Sequence, residues 1–174
     1  MMSNLGFFKA MEAMEIPYEV TSVGDRHVVE AMGRLGASVG GEQSGHVILS
    51  EHATTGDGLV TALALLDVMV RSGRPLSELA RVMDVYPQTL INVRVEEPRA
   101  ARAVASSEDV GRAVTDAEVR LGEYGRILLR PSGTEPVVRV MVEHTDASVC
   151  REVCEEVAGV VSDAGANADR EVTS

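Results

Sequence analysis

Two short segments, far apart in the chain, carry the residue types that bind phosphorylated sugars. The first is Gly41-Glu42-Gln43-Ser44-Gly45-His46, a glycine-flanked turn with a carboxylate, a hydroxyl and an imidazole. The second is Arg130-Pro131-Ser132-Gly133-Thr134-Glu135-Pro136, which is followed by Arg139. Carboxylates and hydroxyls hydrogen-bond to sugar hydroxyl groups, whereas guanidinium groups form paired hydrogen bonds with phosphate oxygens. We therefore expect the two segments to form a phosphosugar site together.

The second segment has the composition of a loop that binds phosphate. Its glycine permits backbone conformations that direct successive N–H groups toward an anion, and its hydroxyls add further donors. Two guanidinium groups, one on each side of the loop, suit the bidentate geometry of phosphate oxygens. The residues expected to bind phosphate are Arg130, Ser132, Gly133, Thr134 and Arg139. The alternative is a plain hairpin turn whose arginines pair with Glu135 and Glu143.

The first segment places two sugar-binding side chains close together. Glu42 and Ser44 are two residues apart, so in an extended loop their side chains point in the same direction. A carboxylate that accepts hydrogen bonds from two neighbouring hydroxyls, beside a serine hydroxyl, suits the edge of a hexose. An acidic surface turn is the alternative interpretation. His46 begins an apolar stretch, where a histidine commonly has a structural role.

A third group of residues could attract an anion. Gly24-Asp25-Arg26 precedes a predicted helix, so Arg26 would lie near the positive end of the helix dipole. The alternative is an exposed Asp25 that caps the helix, next to a solvated Arg26.

The composition argues against several kinds of partner. The chain of 174 residues has 27 acidic and 16 basic side chains, a formal net charge of −11. Such an acidic chain is poorly suited to bind nucleic acid or an anionic membrane surface. The apolar run from Leu59 to Val70 contains Asp67 and is too short to span a membrane. The first residues lack the basic and apolar regions of a signal peptide, so a cytoplasmic protein is expected.

The two cysteines, Cys150 and Cys154, are four residues apart and would share one face of a helix. No cluster of other metal ligands lies near them in the sequence. We therefore expect two small, buried and reduced side chains, and no metal site.

Alternating helical and extended patterns predict an α/β layer in the first half of the chain. Ser3 or Asn4 and, later, Asp57 are predicted helix N-caps, while Gly36 and Gly73 are predicted to end helices. A short helix is expected over 77–82. The predicted strands are 17–23, 37–42, 46–50 and 89–95.

A domain boundary is predicted at Glu96-Glu97-Pro98, because two carboxylates and a proline suit neither a strand nor a helix centre. Beyond it, the pattern predicts a helix over 108–121, strands over 126–130 and 137–143, and a last helix capped by Asp146. The expected fold class is α/β plus α+β. The expected domains are 1–95 and 96–174, the second a small sheet with two helices.

Together the two segments resemble the α-D-phosphohexomutase family. Gly41 to His46 is similar to the sugar-binding loop of that family's third domain, and Arg130 to Pro136 with Arg139 resembles the phosphate-binding loop of its last domain. The run from Thr54 to Gly58 also resembles the family, although we interpret it mainly as a helix cap. The resemblance implies a partial mixed-sheet α/β domain 3 followed by the family's small domain 4.

The resemblance also implies a role for each candidate residue. Glu42 and Ser44 would contact sugar hydroxyls, and His46 is a candidate for proton transfer. Asp25 and Arg26 would contribute to substrate binding, since Gly-Asp-Arg is similar to family members that act on glucosamine phosphates. The arginine-containing loop would hold the phosphate that is not transferred.

Family members of this kind interconvert glucosamine 6-phosphate and glucosamine 1-phosphate through a phosphoserine relay assisted by Mg²⁺. Neither the phosphoserine loop nor the aspartate-rich metal loop occurs in this sequence. The resemblance therefore implies a C-terminal fragment that is inactive alone, binds no metal itself and has the missing N-terminal domains as partners. A truncated third domain leaves a free sheet edge, so self-association is expected. Alternatives are a fragment of a member that acts on mannose or glucose phosphates, and a stand-alone phosphosugar-binding module without catalysis.

Overall fold

In a computed structural model, the chain divides between Val85 and Tyr86 into two units. The structure describes residues 2–133 and 135–172, and of Pro98 and residues 167–172 it describes the backbone alone. The first unit contains helices α1 (Leu5–Ala13), α2 (Asp25–Leu35), α3 (Gly58–Ser72) and α4 (Leu76–Leu79) and strands β1 (Val39–Gly41) and β2 (Val47–Leu49). The second contains β3 (Gln88–Arg94), α5 (Pro98–Ala105), α6 (Glu108–Leu121), a 3-10 helix (Gly122–Tyr124), β4 (Gly125–Pro131), β5 (Val137–His144) and α7 (Ala147–Val172).

Local capping signals determine where the main helices of the first unit begin and end. The Asn4 side chain accepts a hydrogen bond from a backbone N–H of the first turn of α1. Asp57 Oδ1 accepts two such bonds at the start of α3, at 2.8 and 3.0 Å. Gly36 and Gly73, both with φ of 66°, end α2 and α3 in the left-handed conformation. These caps confirm the predictions made from the sequence.

The strands of the first unit form a hairpin that carries the turn at residues 42–46. β1 and β2 pair antiparallel, from Val39 opposite Leu49 to Gly41 opposite Val47. On one side of the hairpin, Val28 and Met32 of α2 pack with Ile48 in a small buried core. The turn therefore projects from a hairpin that α2 supports.

Helix α3 presents an exposed apolar surface. None of its residues is buried, although most of them are apolar. Four apolar side chains that follow one another along the helix are each more than half exposed, and we call them the α3 stripe: Leu59, Leu63, Leu66 and Val70. No helix in the described part of the chain is both long enough and apolar enough to cross a membrane.

The second unit is built on a three-stranded antiparallel sheet in the order β3-β5-β4. α7 lies along β3 and β5, and α5 and α6 pack with it on the same face. Alternate residues of β5 point into this core, while those between them point to the opposite face. The core residues from β5 and α7 are almost fully buried: Val138, Val140, Val142, Val153, Val157 and Val161.

The position of strand β3 differs from the predicted domain boundary. It pairs with β5 along its whole length, from Gln88 opposite Glu143 to Arg94 opposite Val137, and so belongs to the second unit. The units therefore divide at residues 85 and 86, not at 95 and 96. The sequence did not indicate this because the partner strand of β3 lies far along the chain.

Three local predictions also differ from the structure. The sequence predicts a break at Pro98 and no helix α5, whereas in the structure Pro98 occupies the start of this helix, where its missing N–H and fixed φ are tolerated. Residues 17–23 form no strand in the described structure. Helix α4 is a single turn over Leu76–Leu79 rather than a helix over 77–82.

Both cysteines lie in the buried part of α7, as predicted, and neither forms a disulfide. Cys150 Sγ donates a hydrogen bond to the carbonyl oxygen of Val142 at 3.0 Å. Burial raises the pKa of the Cys154 thiol to about 11, so this thiol stays protonated at neutral pH. Protonated, buried thiols act here as packing groups.

Candidate functional site

The turn between β1 and β2, which we call the sugar turn (residues 42–46), brings three predicted site residues together. Ser44 Oγ lies 3.0 Å from Glu42 Oε1 and 2.9 Å from His46 Nδ1. The backbone N–H of Gly45 donates to the carbonyl of Glu42, and Gly45 has a φ of 94°, which suits glycine. A carboxylate, a hydroxyl and an imidazole thus meet on one surface turn, where they can accept and donate hydrogen bonds to sugar hydroxyls.

The His46 ring also lies against the segment that leads into α3. A Cβ atom at Gly56 would be 3.2 Å from His46 Cδ2 and 3.3 Å from His46 Cβ, closer than ordinary contacts. A residue without a side chain at position 56 therefore allows the imidazole to occupy this place. The sequence indicated only a helix cap here, because the approach of His46 depends on the tertiary fold.

Asp25 and Arg26 open α2 after Gly24, which takes the N-cap position. Asp25 accepts a hydrogen bond from the backbone N–H of Arg26 at 2.8 Å, and Arg26 Nε donates to Glu30 Oε1 at 2.8 Å. Both side chains are exposed. Within the described residues, no hydrogen bond or ion pair connects either of them to the sugar turn. Their part in substrate binding stays a prediction.

The loop between β4 and β5, which we call the phosphate loop (residues 131–136), is held in shape by Ser132. Its backbone N–H donates to the carbonyl of Val137 at 2.9 Å, and its Oγ accepts from the N–H of Glu135 at 3.2 Å. The Ser132 side chain is buried. Gly133 is exposed, with open space where a Cβ would stand. Thr134, also a predicted phosphate ligand, lies outside the described residues.

Arg130 and Arg139, which we call the arginine pair, stand directly opposite each other on β4 and β5. Residues in this position share a face of the sheet with Cβ atoms about 5 Å apart, where like charges are destabilising. The Nε atoms of both side chains are buried and have no hydrogen-bond partner among the described residues. Buried donors without partners are uncommon in folded proteins. The arginine pair therefore forms a cationic position with donors available for an anion.

One carboxylate already contacts the arginine pair. Glu135 Oε2 lies 2.8 Å from Arg139 Nη2, as the alternative of a plain hairpin turn anticipated. Glu143, the other expected partner, instead pairs with Arg126, whose Nε is 2.7 Å from Glu143 Oε2. The Glu135 contact occupies one nitrogen of Arg139 and leaves its Nε without a partner.

The sheet register adds a residue that the sequence did not indicate. Asn92 of β3 stands directly opposite Arg139, on the other side of β5 from Arg130. The three residues therefore form one row across a single face of the sheet. Because the predicted boundary assigned β3 to the first domain, nothing in the sequence indicated that Asn92 lies beside Arg139.

The described residues offer no metal site. Among the side chains that the structure describes, no group of three or more from His, Cys, Asp or Glu could hold a metal ion. Mg²⁺ requires several oxygen ligands in octahedral geometry. The side chains described here therefore do not fit this ion by themselves.

Two family models match most of the chain. Residues 1–86 match the alpha/beta/alpha domain III of phosphoglucomutase/phosphomannomutase, and residues 90–160 match the C-terminal domain of the same proteins. The chain belongs to the phosphoglucomutase/phosphomannomutase family. This confirms the resemblance found in the sequence. The second match begins inside β3, in agreement with the place of that strand in the second unit.

Curated members of the family align with nearly the whole chain. A phosphoglucosamine mutase of Rubrobacter xylanophilus is 73% identical over 164 residues, which are 94% of this chain and 37% of that protein. A phosphoglucosamine mutase of Cutibacterium acnes is 53% identical over 161 residues, 92% of this chain and 35% of that protein. The chain thus spans little more than a third of the length of these relatives, and it corresponds to their C-terminal part.

Solved structures of family members share the fold. An N-acetylphosphoglucosamine mutase of Aspergillus fumigatus superimposes with a TM-score of 0.80 at 23% identity, over 94% of this chain and 37% of that one. A structure of the Aspergillus enzyme in complex with GlcNAc-6P and magnesium gives a TM-score of 0.76 at 22% identity, over 93% of this chain and 37% of that one. The mixed α/β fold class predicted from the sequence is confirmed.

Proposed function

We propose that this chain is the phosphosugar-binding, C-terminal part of a phosphoglucosamine mutase, which interconverts glucosamine 6-phosphate and glucosamine 1-phosphate. The observation that carries the proposal is the arginine pair, whose two buried Nε atoms have no partner in the described residues. The 73% identity to a phosphoglucosamine mutase supports the choice of reaction. Location in the cytoplasm, where sugar phosphates are metabolised, is part of the same proposal.

In this proposal each unit contributes one kind of contact. The sugar turn offers a carboxylate, a hydroxyl and an imidazole to the hexose hydroxyls, and His46 is the candidate for proton transfer. The arginine pair, with Ser132, Gly133 and Thr134, holds the phosphate that is not transferred. Asp25 and Arg26 belong to the same substrate-binding group. The chain thereby binds and orients the substrate.

The remaining chemistry would come from parts of the relatives that lie outside the match. A phosphoserine there would supply the phosphoryl group, and Mg²⁺ would neutralise charge on that group during transfer. The described residues of this chain do not fit a magnesium site, so those other parts of the relatives would also have to hold the metal. The N-terminal domains are therefore the partner that this proposal requires.

The proposal is tested by complementation in trans. We expect the chain alone, with Mg²⁺ and glucose 1,6-bisphosphate, to form no glucosamine 1-phosphate from glucosamine 6-phosphate. Addition of a separately expressed N-terminal part of the Rubrobacter relative, phosphorylated on its serine, is expected to restore product formation. A matched mixture with Arg139→Ala in this chain should restore much less.

The other outcomes of this experiment identify the alternatives. Product formation by the chain alone would refute the proposed division of labour and would make Ser44 or Ser132 the nucleophile. Phosphosugar binding without activity in any mixture would indicate a stand-alone binding module. Preferred turnover of mannose or glucose phosphates would indicate a phosphomannomutase or phosphoglucomutase, against the preference that Gly24-Asp25-Arg26 implies.

We also propose that the first unit associates with a second copy of the chain through the α3 stripe. Leu59, Leu63, Leu66 and Val70 are spaced by four, three and four residues and are all largely exposed. This is the spacing of the apolar seam along which the helices of a coiled coil pack, and a twofold dimer brings the same surface of both copies together. Each strand of the two-stranded β1–β2 hairpin also has an edge through which chains can pair.

Sedimentation velocity over a range of concentrations tests this association. We expect a dimer that dissociates when Leu63→Glu places a charge in the stripe. Val119→Glu is the matched control, because Val119 is also apolar and exposed but belongs to the second unit. A monomer at all concentrations, or the same loss of dimer in both variants, would contradict the proposal.

A further inference from the structure

The hydrogen bonds in the sugar turn determine which nitrogen of His46 carries the proton. Ser44 Oγ has two neighbours within hydrogen-bond distance, Glu42 Oε1 at 3.0 Å and His46 Nδ1 at 2.9 Å. A serine hydroxyl has one proton to donate, whereas an ionised carboxylate can only accept. The hydroxyl proton therefore goes to Glu42. Ser44 is left as an acceptor, and the partner that donates to it is His46 Nδ1–H.

We infer that Ser44 and Gly56 are positioning residues for His46. Ser44 fixes the Nδ1–H tautomer, and Gly56 leaves room for the imidazole ring. In a neutral imidazole one nitrogen donates and the other accepts, and the hydrogen bond of one nitrogen sets the state of the other. With Nδ1–H bound to Ser44, the lone pair is on Nε2. The atom of His46 that meets a sugar hydroxyl is therefore Nε2, as an acceptor.

Glu42 completes a directional chain of hydrogen bonds. His46 Nδ1–H donates to Ser44 Oγ, and Ser44 O–H donates to the carboxylate of Glu42, which also lies 3.7 Å from Nδ1. If Nε2 gains a proton, the imidazolium keeps its Nδ1–H on Ser44, and the direction of the chain does not change. Ser44 thus acts on the reaction through His46, in addition to any contact of its own with the sugar.

Gly56 provides a steric constraint that is independent of the hydrogen bonds. A methyl group at this position would stand 3.2 and 3.3 Å from two carbon atoms of His46. The ring would have to move by a few tenths of an ångström, which lengthens or bends the bond between Nδ1 and Ser44. Gly58, two residues later, has no neighbour within 4 Å of a Cβ and provides a matched control.

Nitrogen-15 spectra of the histidine rings of the whole chain test the inference, at a pH where imidazoles are neutral. For His46 we expect Nδ1 to have the shift of a protonated ring nitrogen and Nε2 that of an unprotonated one. His144 is an internal reference with the opposite tautomer, because its Nδ1 accepts a hydrogen bond from the backbone N–H of Asp146 at 2.9 Å. A His46→Gln variant identifies the signals of His46 by their loss.

Four variants then distinguish a specific effect on the His46 ring from a general change in the structure. Ser44→Ala is expected to move the His46 proton toward Nε2, while Ser44→Thr, which keeps a hydroxyl, retains the Nδ1–H pattern. Gly56→Ala should shift the His46 signals and Gly58→Ala should leave them in place. His144 should be unchanged in all four variants. A wild-type His46 with its proton on Nε2, or an unchanged pattern in Ser44→Ala, would overturn the inference.

The use of Nε2 toward a sugar rests on the proposed function, so the two are tested separately. Addition of glucosamine 6-phosphate is expected to shift His46 Nε2 more than Nδ1. If the sugar phosphate does not bind at all, the proposed function fails while the tautomer found in the free chain still supports the inference. If it binds and shifts Nδ1 instead, the assignment of Nε2 is wrong while the phosphosugar function stands.

Discussion

Arg139→Ala will weaken the binding of inorganic phosphate and of glucosamine 6-phosphate by roughly ten- to a hundredfold. The substitution removes one member of the arginine pair, whose Nε has no partner among the described residues. A hydrogen bond to a charged group contributes about 1.5–3 kcal/mol, which corresponds to this change in Kd. Titration followed by the amide signal of Gly133, next to Ser132 in the phosphate loop, measures the effect.

Arg112→Ala is the matched control for this prediction. Arg112 carries the same charge in the same unit, but it is exposed on α6 and pairs with Asp109 and Glu108. Its removal should change the affinity only slightly, because exposed charges are screened by salt. Equal weakening by both variants would mean that net charge, and not the arginine pair, attracts the anion. An unchanged affinity in Arg139→Ala would remove Arg139 from the site.

The second large effect concerns stability. Arg126→Met is expected to destabilise the second unit by about 3–5 kcal/mol, because it takes from Glu143 a charged partner at 2.7 Å while the carboxylate remains fully buried. Arg126 and Glu143 stand directly opposite each other on β4 and β5. Urea titration followed by the amide signals of β5 measures the loss in this unit.

A double variant and a surface control distinguish the causes. Arg126→Met combined with Glu143→Leu should recover most of the lost stability, since an apolar pair in place of a buried ion pair is often neutral. Arg120→Met removes two ion pairs that join α6 to α7, one with Glu152 and one with Glu156. Because these side chains are exposed, the loss of unfolding free energy should be much smaller. Similar losses in Arg126→Met and Arg120→Met would contradict the prediction.

The parts of the fold that follow from local signals could be predicted from the sequence. Asn4 and Asp57 cap helices because their side chains accept hydrogen bonds from N–H groups only two or three residues away. Strand β3 was assigned to the wrong unit because its partner, β5, follows only after α5, α6 and β4. Hydrophobic alternation predicts that a segment is a strand, but it does not identify the strand with which it pairs.

In the candidate site, too, local features could be predicted from the sequence and contacts between distant segments could not. Residue types and spacing indicated Glu42 and Ser44, because a short motif keeps its side chains close together in a compact turn, and Arg139, because it follows the phosphate loop closely in the sequence. They did not indicate Gly56, which meets His46 only through the approach of two segments, or Asn92, whose place depends on sheet register. The direction of the hydrogen bonds at Ser44 also required distances between atoms.

The ion pair between Glu135 and Arg139 has a consequence for the rate at which a product would leave. In the proposed site, an anion that binds Arg139 through both Nε and Nη2 would displace Glu135 from Nη2, so its binding would be an exchange and not a simple addition. When the anion departs, the Glu135 carboxylate could again accept a hydrogen bond from Arg139. The guanidinium would then be paired again without first being hydrated. Such an internal counter-ion would lower the affinity for the bound anion and shorten its residence time. A shorter residence time is an advantage where release of product limits turnover.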